Sequence, residues 1–69
     1  MKVLVADAIA REGVERLRNH VEVEVRTDLK TEELIAIIGD FDGLVVRSQT
    51  RVTAPIIEAA TRLQVVARA

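Results

Sequence analysis

The 69 residues of this chain suffice for one small domain, and the absence of cysteine excludes disulfides and thiolate metal sites. Ten basic and eleven acidic side chains are spread along the chain with a single aromatic residue, which argues against nucleic-acid binding. The lone histidine argues against a metal cluster, and the first apolar run is too short for a signal peptide or membrane span, as in a cytoplasmic protein.

The first half of the chain alternates between strand and helix patterns. Residues 3–6 form a continuous apolar run, which predicts a strand buried on both faces. Helical spacing of apolar positions predicts a helix over residues 9–17, in which Gly13 is explained by close packing against the sheet. Residues 21–26 alternate strictly between valine and charge, which predicts a half-exposed strand at a sheet edge.

The second half repeats this alternation. Thr31 is a candidate N-cap for a helix that ends near Gly39, a candidate C′ residue. Residues 44–46 form a second continuous apolar run and are expected to lie centrally in the sheet. Thr53 is a candidate N-cap for a third helix, whose buried face is expected to include Ile56, Ile57 and Ala60. Residues 63–68 predict a fourth strand.

The order β-α-β-α-β-α-β predicts a three-layer α/β fold with a four-stranded parallel sheet in the order 2-1-3-4, which is flavodoxin-like. The last strand is apolar and no fifth strand follows to cover it. We therefore expect residues 1–69 to be part of a larger domain. A homodimer, formed by edge pairing or by exchange of elements, would supply the missing burial.

Polar residues follow three of the predicted strands at their carboxyl ends, namely Asp7, Arg47 and Arg68. Two arginines on neighbouring strands, near a helix that starts at Thr53, favour a doubly charged anion. Taken alone, each arginine is more typical of a solvated or carboxylate-paired surface residue, and Ser48 and Thr50 are more typical of turn formers. Asp7 has two further interpretations, since it can cap the first helix or pair with Arg47.

Residues 42–53 contain the motif Val-Arg-Ser-x-Thr and residues 63–69 the motif Val-Ala-Arg-Ala, and the segments 3–7, 32–34 and 57–60 accompany them. Together they resemble the phosphoglycerate dehydrogenases, a branch of the D-isomer-specific 2-hydroxyacid dehydrogenase family. The resemblance implies the first part of a flavodoxin-like substrate-binding domain. It implies a parent enzyme that oxidises 3-phosphoglycerate to 3-phosphohydroxypyruvate with NAD in L-serine synthesis. Arg47 and Arg68 would then help to hold the substrate phosphate, with Ser48 near the same pocket.

Much of that family's machinery has no counterpart here. There is no Gly-x-Gly-x-x-Gly turn for a dinucleotide, and the family's catalytic arginine, glutamate and histidine fall beyond position 69. We therefore predict no catalytic, cofactor-binding or metal-binding residue in this chain, with NAD bound elsewhere in the parent enzyme. The 69 residues alone are expected to be inactive.

Two other functions are alternatives for this sequence. One is a half-domain that folds by homodimerisation and has no ligand function. The other is a phosphorelay receiver-like module, which shares the strand order. A receiver needs an acceptor aspartate after the third strand, where Arg47 stands, and a pair of acids after the first strand, where only Asp7 is found.

Overall fold

Seven short elements alternate between strand and helix along the chain. The computed structural model describes all residues, 1–69. In chain order they are β1 (Lys2–Val5), α1 (Arg11–Arg18), β2 (Glu22–Val25), α2 (Thr31–Ile38), β3 (Gly43–Val46), α3 (Ala54–Ala59) and β4 (Val65–Arg68).

The four strands form one parallel sheet in the order β2-β1-β3-β4, which confirms the predicted fold and strand order. Right-handed crossovers place α1 on one face of the sheet and α2 with α3 on the other, because the chain first winds towards β2 and then back towards β4. The strand with strict alternation, β2, is an edge strand as expected. The continuous apolar strands β1 and β3 lie in the centre.

The larger part of the core lies between the sheet and the α2–α3 layer. Nine buried residues meet there: Leu4, Ala6, Leu34, Ile38, Phe41, Leu44, Val46, Ile56 and Ala60. Side chains of β1 and β3 alternate in direction, so every second residue of each strand enters this cluster. Since two helices cover this face and one covers the other, most of the apolar burial is on the α2–α3 side.

The opposite face has a smaller core of three valines, Val3, Val5 and Val45, with Ile9 and Leu17 packed against it. This face leaves β4 without a helix over it.

All four residues of β4 are exposed. The exposed fractions are 48% for Val65 and 43% for Val66. Ile57 of α3, expected on the buried face, is 49% exposed, and that expectation was wrong. Ile56 and Ala60, four positions apart, are buried instead, because they occupy the same side of the short helix.

Backbone hydrogen bonding shifts the predicted helix boundaries. The N-cap of α2 is Lys30 rather than Thr31, because the Glu33 carboxylate accepts the Lys30 N–H at 2.8 Å. Gly39 has a φ of −62°, so it is not the left-handed C′ glycine that was predicted. A Cβ at Gly39 would meet the Ala59 carbonyl oxygen at 3.3 Å, so this glycine permits the close approach of α2 and α3.

Asp42 joins the amino ends of three strands. Its carboxylate accepts the backbone N–H of Lys2 at 2.8 Å and a guanidinium N–H of Arg62 at 3.2 Å. Its own N–H donates to the Lys2 carbonyl, and its carbonyl accepts the Gln64 N–H, both at 2.7 Å. The start of β3 is thereby tied to β1 and to the segment that leads into β4.

None of the helices is long and apolar enough to cross a membrane.

Two glycines give a prediction with a built-in control. A Cβ at Gly43 would lie 3.1 Å from Val3 Cγ2 and 3.2 Å from Val65 Cγ1, both on stiff β-branched side chains. We expect Gly43→Ala to lower the free energy of unfolding by about 1 kcal/mol through this crowding. Chemical denaturation measures the effect.

The control is Gly13→Ala in α1, where a Cβ would meet only Ile9 Cδ1 at 3.8 Å. Because no residue of the sheet lies within 4 Å of that Cβ position, the expected close packing of Gly13 against the sheet was wrong. We expect Gly13→Ala to stabilise the chain by up to about 1 kcal/mol, since alanine favours a helix interior over glycine. Equal effects of the two substitutions would contradict the steric account of Gly43.

Candidate anion-binding site

A cavity of about 280 Å³ opens at the carboxyl end of β1 and β3. It is lined by Asp7, Ala8, Arg47, Ser48 and Gln49. The two strands are neighbours at the point where the strand order reverses, which is where open parallel sheets bind their ligands. The cavity therefore lies where the sequence predicted the site.

Asp7 lies beneath the cavity and is only 3% exposed. Its Oδ2 accepts the backbone N–H groups of Arg47 at 2.7 Å and of Thr50 at 2.9 Å. Its Oδ1 accepts the Thr50 hydroxyl at 2.5 Å. This buried carboxylate therefore joins the end of β1 to the loop of residues 47–50, which leads from β3 towards α3.

These contacts decide between the two interpretations of Asp7. The N-cap of α1 is Ala10, which makes no side-chain cap, so Asp7 does not cap the helix. Asp7 does contact Arg47, but through the backbone N–H, and the two side chains form no salt bridge. The guanidinium of Arg47 is consequently not engaged by the nearest carboxylate.

Opposing effects set the pKa of Asp7. Burial raises the pKa, whereas the hydrogen bonds from the Thr50 hydroxyl and from the Arg47 and Thr50 N–H groups lower it, as does the charge of Arg47. The lowering effects prevail, and the pKa lies below its ordinary value of 3.8. Asp7 is therefore a carboxylate at neutral pH and acts as an acceptor only.

The side chains above this carboxylate are free. Arg47, Ser48 and Gln49 are all exposed, and none of their side chains makes a hydrogen bond within the chain. The salt bridges of the structure engage Arg11, Arg26 and Arg62 instead. A guanidinium and a hydroxyl at one cavity, both without partners, form a donor set suited to an anion.

Arg68 lies one strand away from this cavity and does not line it. The register of β3 and β4 pairs Arg68 with Val46, so Arg47 lies beside Ala69, whose N–H donates to the Val46 carbonyl at 2.8 Å. Arg68 is exposed and forms no salt bridge. The structure thus brings Arg47 and Ser48 together at one cavity and leaves Arg68 on the neighbouring strand end.

Three features of the site were not predicted. Ala8 and Gln49 line the cavity, and Thr50 supplies two of the three hydrogen bonds to Asp7. The cavity is lined by the loop and not by the N-terminus of α3, a helix of only six residues. No local sequence pattern identifies the contact between Thr50 and Asp7, because an aspartate that caps a helix follows a strand in the same way.

A second, wider cavity of about 550 Å³ lies at the amino ends of the strands, beside Arg18, His20 and Arg62. Arg62 is already paired there with Asp42 at 3.2 Å, and Glu22 adds a further negative charge. Parallel sheets bind ligands at the other end. The smaller cavity is therefore the better candidate. No group of three or more histidine, cysteine, aspartate or glutamate residues is arranged to hold a metal ion.

Comparison with known proteins assigns the chain to a family of enzymes. Residues 3–69 match the family model described as D-isomer specific 2-hydroxyacid dehydrogenase, catalytic domain. D-3-phosphoglycerate dehydrogenase of Archaeoglobus fulgidus is 47% identical over 70 positions, and that of Methanocaldococcus jannaschii is 46% identical over 69. Both alignments cover 100% of this chain and 13% of the relative.

Hydroxypyruvate reductase of Thermotoga maritima is 46% identical over 99% of this chain and 22% of that protein. The chain thus spans between 13% and 22% of the length of these three relatives. Among solved structures, the PH0520 protein from Pyrococcus horikoshii OT3 superposes with a TM-score of 0.92 and 37% identity. That match covers 97% of this chain and 20% of the other.

The lowered pKa of Asp7 predicts acid sensitivity. The pKa of Asp7 in the folded chain lies below its value of about 3.9 in the unfolded chain. The ionised carboxylate therefore contributes its full stabilisation above about pH 5, and this contribution is lost as the pH falls through the pKa of the folded state. We expect the free energy of unfolding to fall as the pH is lowered from about 5, and the Asp7→Asn variant to lose part of this dependence. Urea denaturation at several pH values measures it.

Asp42 also makes the free energy of unfolding fall at low pH, because the Lys2 N–H and the charge of Arg62 lower its pKa. Some pH dependence of stability therefore remains in Asp7→Asn. Ile38→Val, an uncharged change in the core, is the control. It should lower stability at every pH without altering the slope. An Asp7→Asn slope equal to that of the wild type would contradict this assignment.

Proposed function

We propose that this chain, which belongs to the D-isomer specific 2-hydroxyacid dehydrogenase family, contributes part of the substrate-phosphate site of a phosphoglycerate dehydrogenase. In this proposal Arg47 and Arg68 bind the phosphate and Ser48 donates a hydrogen bond beside it. The ligand is a small phosphorylated hydroxy acid. The parent enzyme oxidises 3-phosphoglycerate to 3-phosphohydroxypyruvate with NAD, as a step of L-serine synthesis in the cytoplasm.

The free guanidinium of Arg47 is the observation that carries this proposal. It lies at a cavity with the Ser48 hydroxyl, and the buried carboxylate below is occupied by backbone and hydroxyl donors. Arg68 ends the neighbouring strand, about 4.8 Å away in a parallel sheet, and its exposed side chain forms no salt bridge. Two guanidinium groups suit the two negative charges of a phosphate monoester.

The names of the relatives support the same substrate class. Two of the relatives compared above are called D-3-phosphoglycerate dehydrogenase, and their match covers the whole of this chain. The third is called hydroxypyruvate reductase, a name without a phosphate. A phosphorylated and an unphosphorylated hydroxy acid are therefore the ligands that a binding experiment has to compare.

The residues of this chain do not fit the NAD cofactor of the proposed parent enzyme. Its glycines are Gly13, Gly39 and Gly43, a spacing that does not form a dinucleotide-binding turn. A Cβ at Gly43 would meet valine side chains and one at Gly39 a helix carbonyl, so both serve packing within the domain. We therefore propose that residues 1–69 are a partial substrate-binding domain, inactive by itself, with the dinucleotide-binding domain elsewhere in the parent enzyme.

We also propose that the chain forms a homodimer through β4. This strand is exposed along its whole length and carries two exposed valines. Its outward N–H and C=O groups have no partner strand, so a second copy can extend the sheet. Such pairing would bury apolar surface that a chain of this size needs for stability.

Ligand titration tests the phosphate site. We expect 3-phosphoglycerate to bind the wild-type chain more tightly than D-glycerate, and Arg47→Ala or Arg68→Ala to weaken 3-phosphoglycerate binding by about tenfold, because each removes a charge-assisted hydrogen bond. Calorimetric titration measures these affinities. Arg62→Ala is the matched control, because it removes the same charge at the opposite end of the sheet.

Equal affinity for the two ligands, or equal weakening by Arg62→Ala, would contradict the phosphate site. The absence of any binding would favour a half-domain that dimerises without ligand function. Hydride transfer from NADH to 3-phosphohydroxypyruvate by the purified chain would refute the proposal that it is inactive alone.

Light scattering tests the dimer. We expect a mass near twice 7.6 kDa for the wild type and a monomer for Val66→Lys, because lysine on an edge strand opposes strand pairing. Val25→Lys, at an equally exposed position on the opposite edge strand, is the control and should remain a dimer. A dimeric Val66→Lys would favour exchange of elements over edge pairing, and a monomeric wild type would refute the homodimer.

A further inference from the structure

The loop of residues 47–50 is closed into a ring by one carboxylate. The N–H groups at its first and last residues, Arg47 and Thr50, both donate to the same Asp7 oxygen, at 2.7 and 2.9 Å. The Thr50 hydroxyl occupies the other oxygen at 2.5 Å. Both ends of the loop are thus fixed from below by a residue that lies 40 or more positions earlier in the chain.

The side chains between these two anchors make no hydrogen bond to Asp7. Ser48 and Gln49 are exposed and make no hydrogen bond within the chain, so nothing else in the structure orders them. The backbone of residues 48 and 49 lies in bends rather than in a helix or strand. The arrangement of the cavity wall therefore depends on the two anchored ends.

The charge of Asp7 does not suit an anion site. A carboxylate beside the cavity repels a phosphate, and its burial without partners would be costly. Its two oxygens accept three hydrogen bonds, which compensate for the burial of the carboxylate. What the site requires from this residue is consequently its hydrogen-bond acceptors and not its charge.

We propose that Asp7 is the positioning residue of the cavity: it holds the loop of residues 47–50 so that the Arg47 guanidinium and the Ser48 hydroxyl present one arrangement to a phosphate-bearing ligand. Asp7 itself does not touch the ligand. The inference rests on the proposed function for the identity of the ligand. Its central claim, that Asp7 orders the loop, applies to the ligand-free chain.

Three substitutions separate the effect of Asp7 on the order of the loop from the effect of its negative charge. Asp7→Asn retains an oxygen that accepts both backbone N–H groups, and its amide nitrogen donates to the Thr50 hydroxyl, so the loop stays closed while the negative charge is lost. Thr50→Val removes only the hydroxyl contact and keeps the backbone N–H. Asp7→Ala removes all three contacts.

Loop order is measured first, in the absence of ligand, by backbone ¹⁵N relaxation and amide hydrogen exchange. We expect lower order parameters at residues 48 and 49 in Thr50→Val and, more strongly, in Asp7→Ala, with near wild-type values in Asp7→Asn. Ile38→Val, a core change remote from the loop, is the control and should leave the loop unchanged. If Asp7→Ala fails to fold, the order parameters of Thr50→Val decide whether the contacts with Asp7 order the loop.

Binding of 3-phosphoglycerate is measured next with the same variants. We expect about tenfold weaker binding in Asp7→Ala and about threefold weaker binding in Thr50→Val, since the ligand must then order the loop. Asp7→Asn should bind as tightly as the wild type or more tightly, because the repelling charge is gone. This rescue by the amide would show that binding depends on the hydrogen bonds of residue 7 and not on its charge.

The inference is overturned if the loop of residues 47–50 is as ordered in Asp7→Ala and Thr50→Val as in the wild type. It is also overturned if Asp7→Asn weakens binding as much as Asp7→Ala, because the charge would then be the required property. A wild-type chain that binds no 3-phosphoglycerate refutes the proposed function instead. Loop order alone then supports or overturns the role of Asp7.

Discussion

The hydrogen bonds at two aspartates hold the ends of the sheet to the segments around it. At the carboxyl end, Asp7 joins β1 to the loop after β3. At the amino end, Asp42 joins the start of β3 to β1 and to the segment before β4. Both carboxylates accept backbone N–H groups that the parallel ladder leaves over, so neither end of the sheet depends on apolar contacts alone.

The hydrogen bonds of Asp7 and Asp42 matter because the hydrophobic core is much larger on one face of the sheet than on the other. Nine buried residues lie under α2 and α3, whereas three valines form the core under α1. A chain of 69 residues has little apolar burial to spare, so contacts that fix the strand ends are a large fraction of the net stability. The candidate site includes one of these contacts, the hydrogen bonds between Asp7 and the loop of residues 47–50. The shape of the site is therefore linked to the stability of the sheet.

The strand order could be predicted because β2 alternates strictly and β1 and β3 do not. Helix boundaries were less predictable, since the N-cap of α2 is decided by the Glu33 side chain reaching the Lys30 N–H. Arg47 and Ser48 could be placed at one cavity from their position after a central strand. The contact between Asp7 and Thr50 could not be predicted, because the two residues are 43 positions apart in the chain. In addition, an aspartate that caps a helix follows a strand in the same way as Asp7 does.

Arg68 has a second physical role that follows from the exposure of β4. It is the charge that directly follows three apolar residues on an edge strand whose outer side has no partner strand, and such charges oppose the pairing of exposed sheet edges. If Arg68 also binds the substrate phosphate, as we propose, ligand affinity and resistance to aggregation depend on the same side chain. A substitution of Arg68 that alters the first then also alters the second.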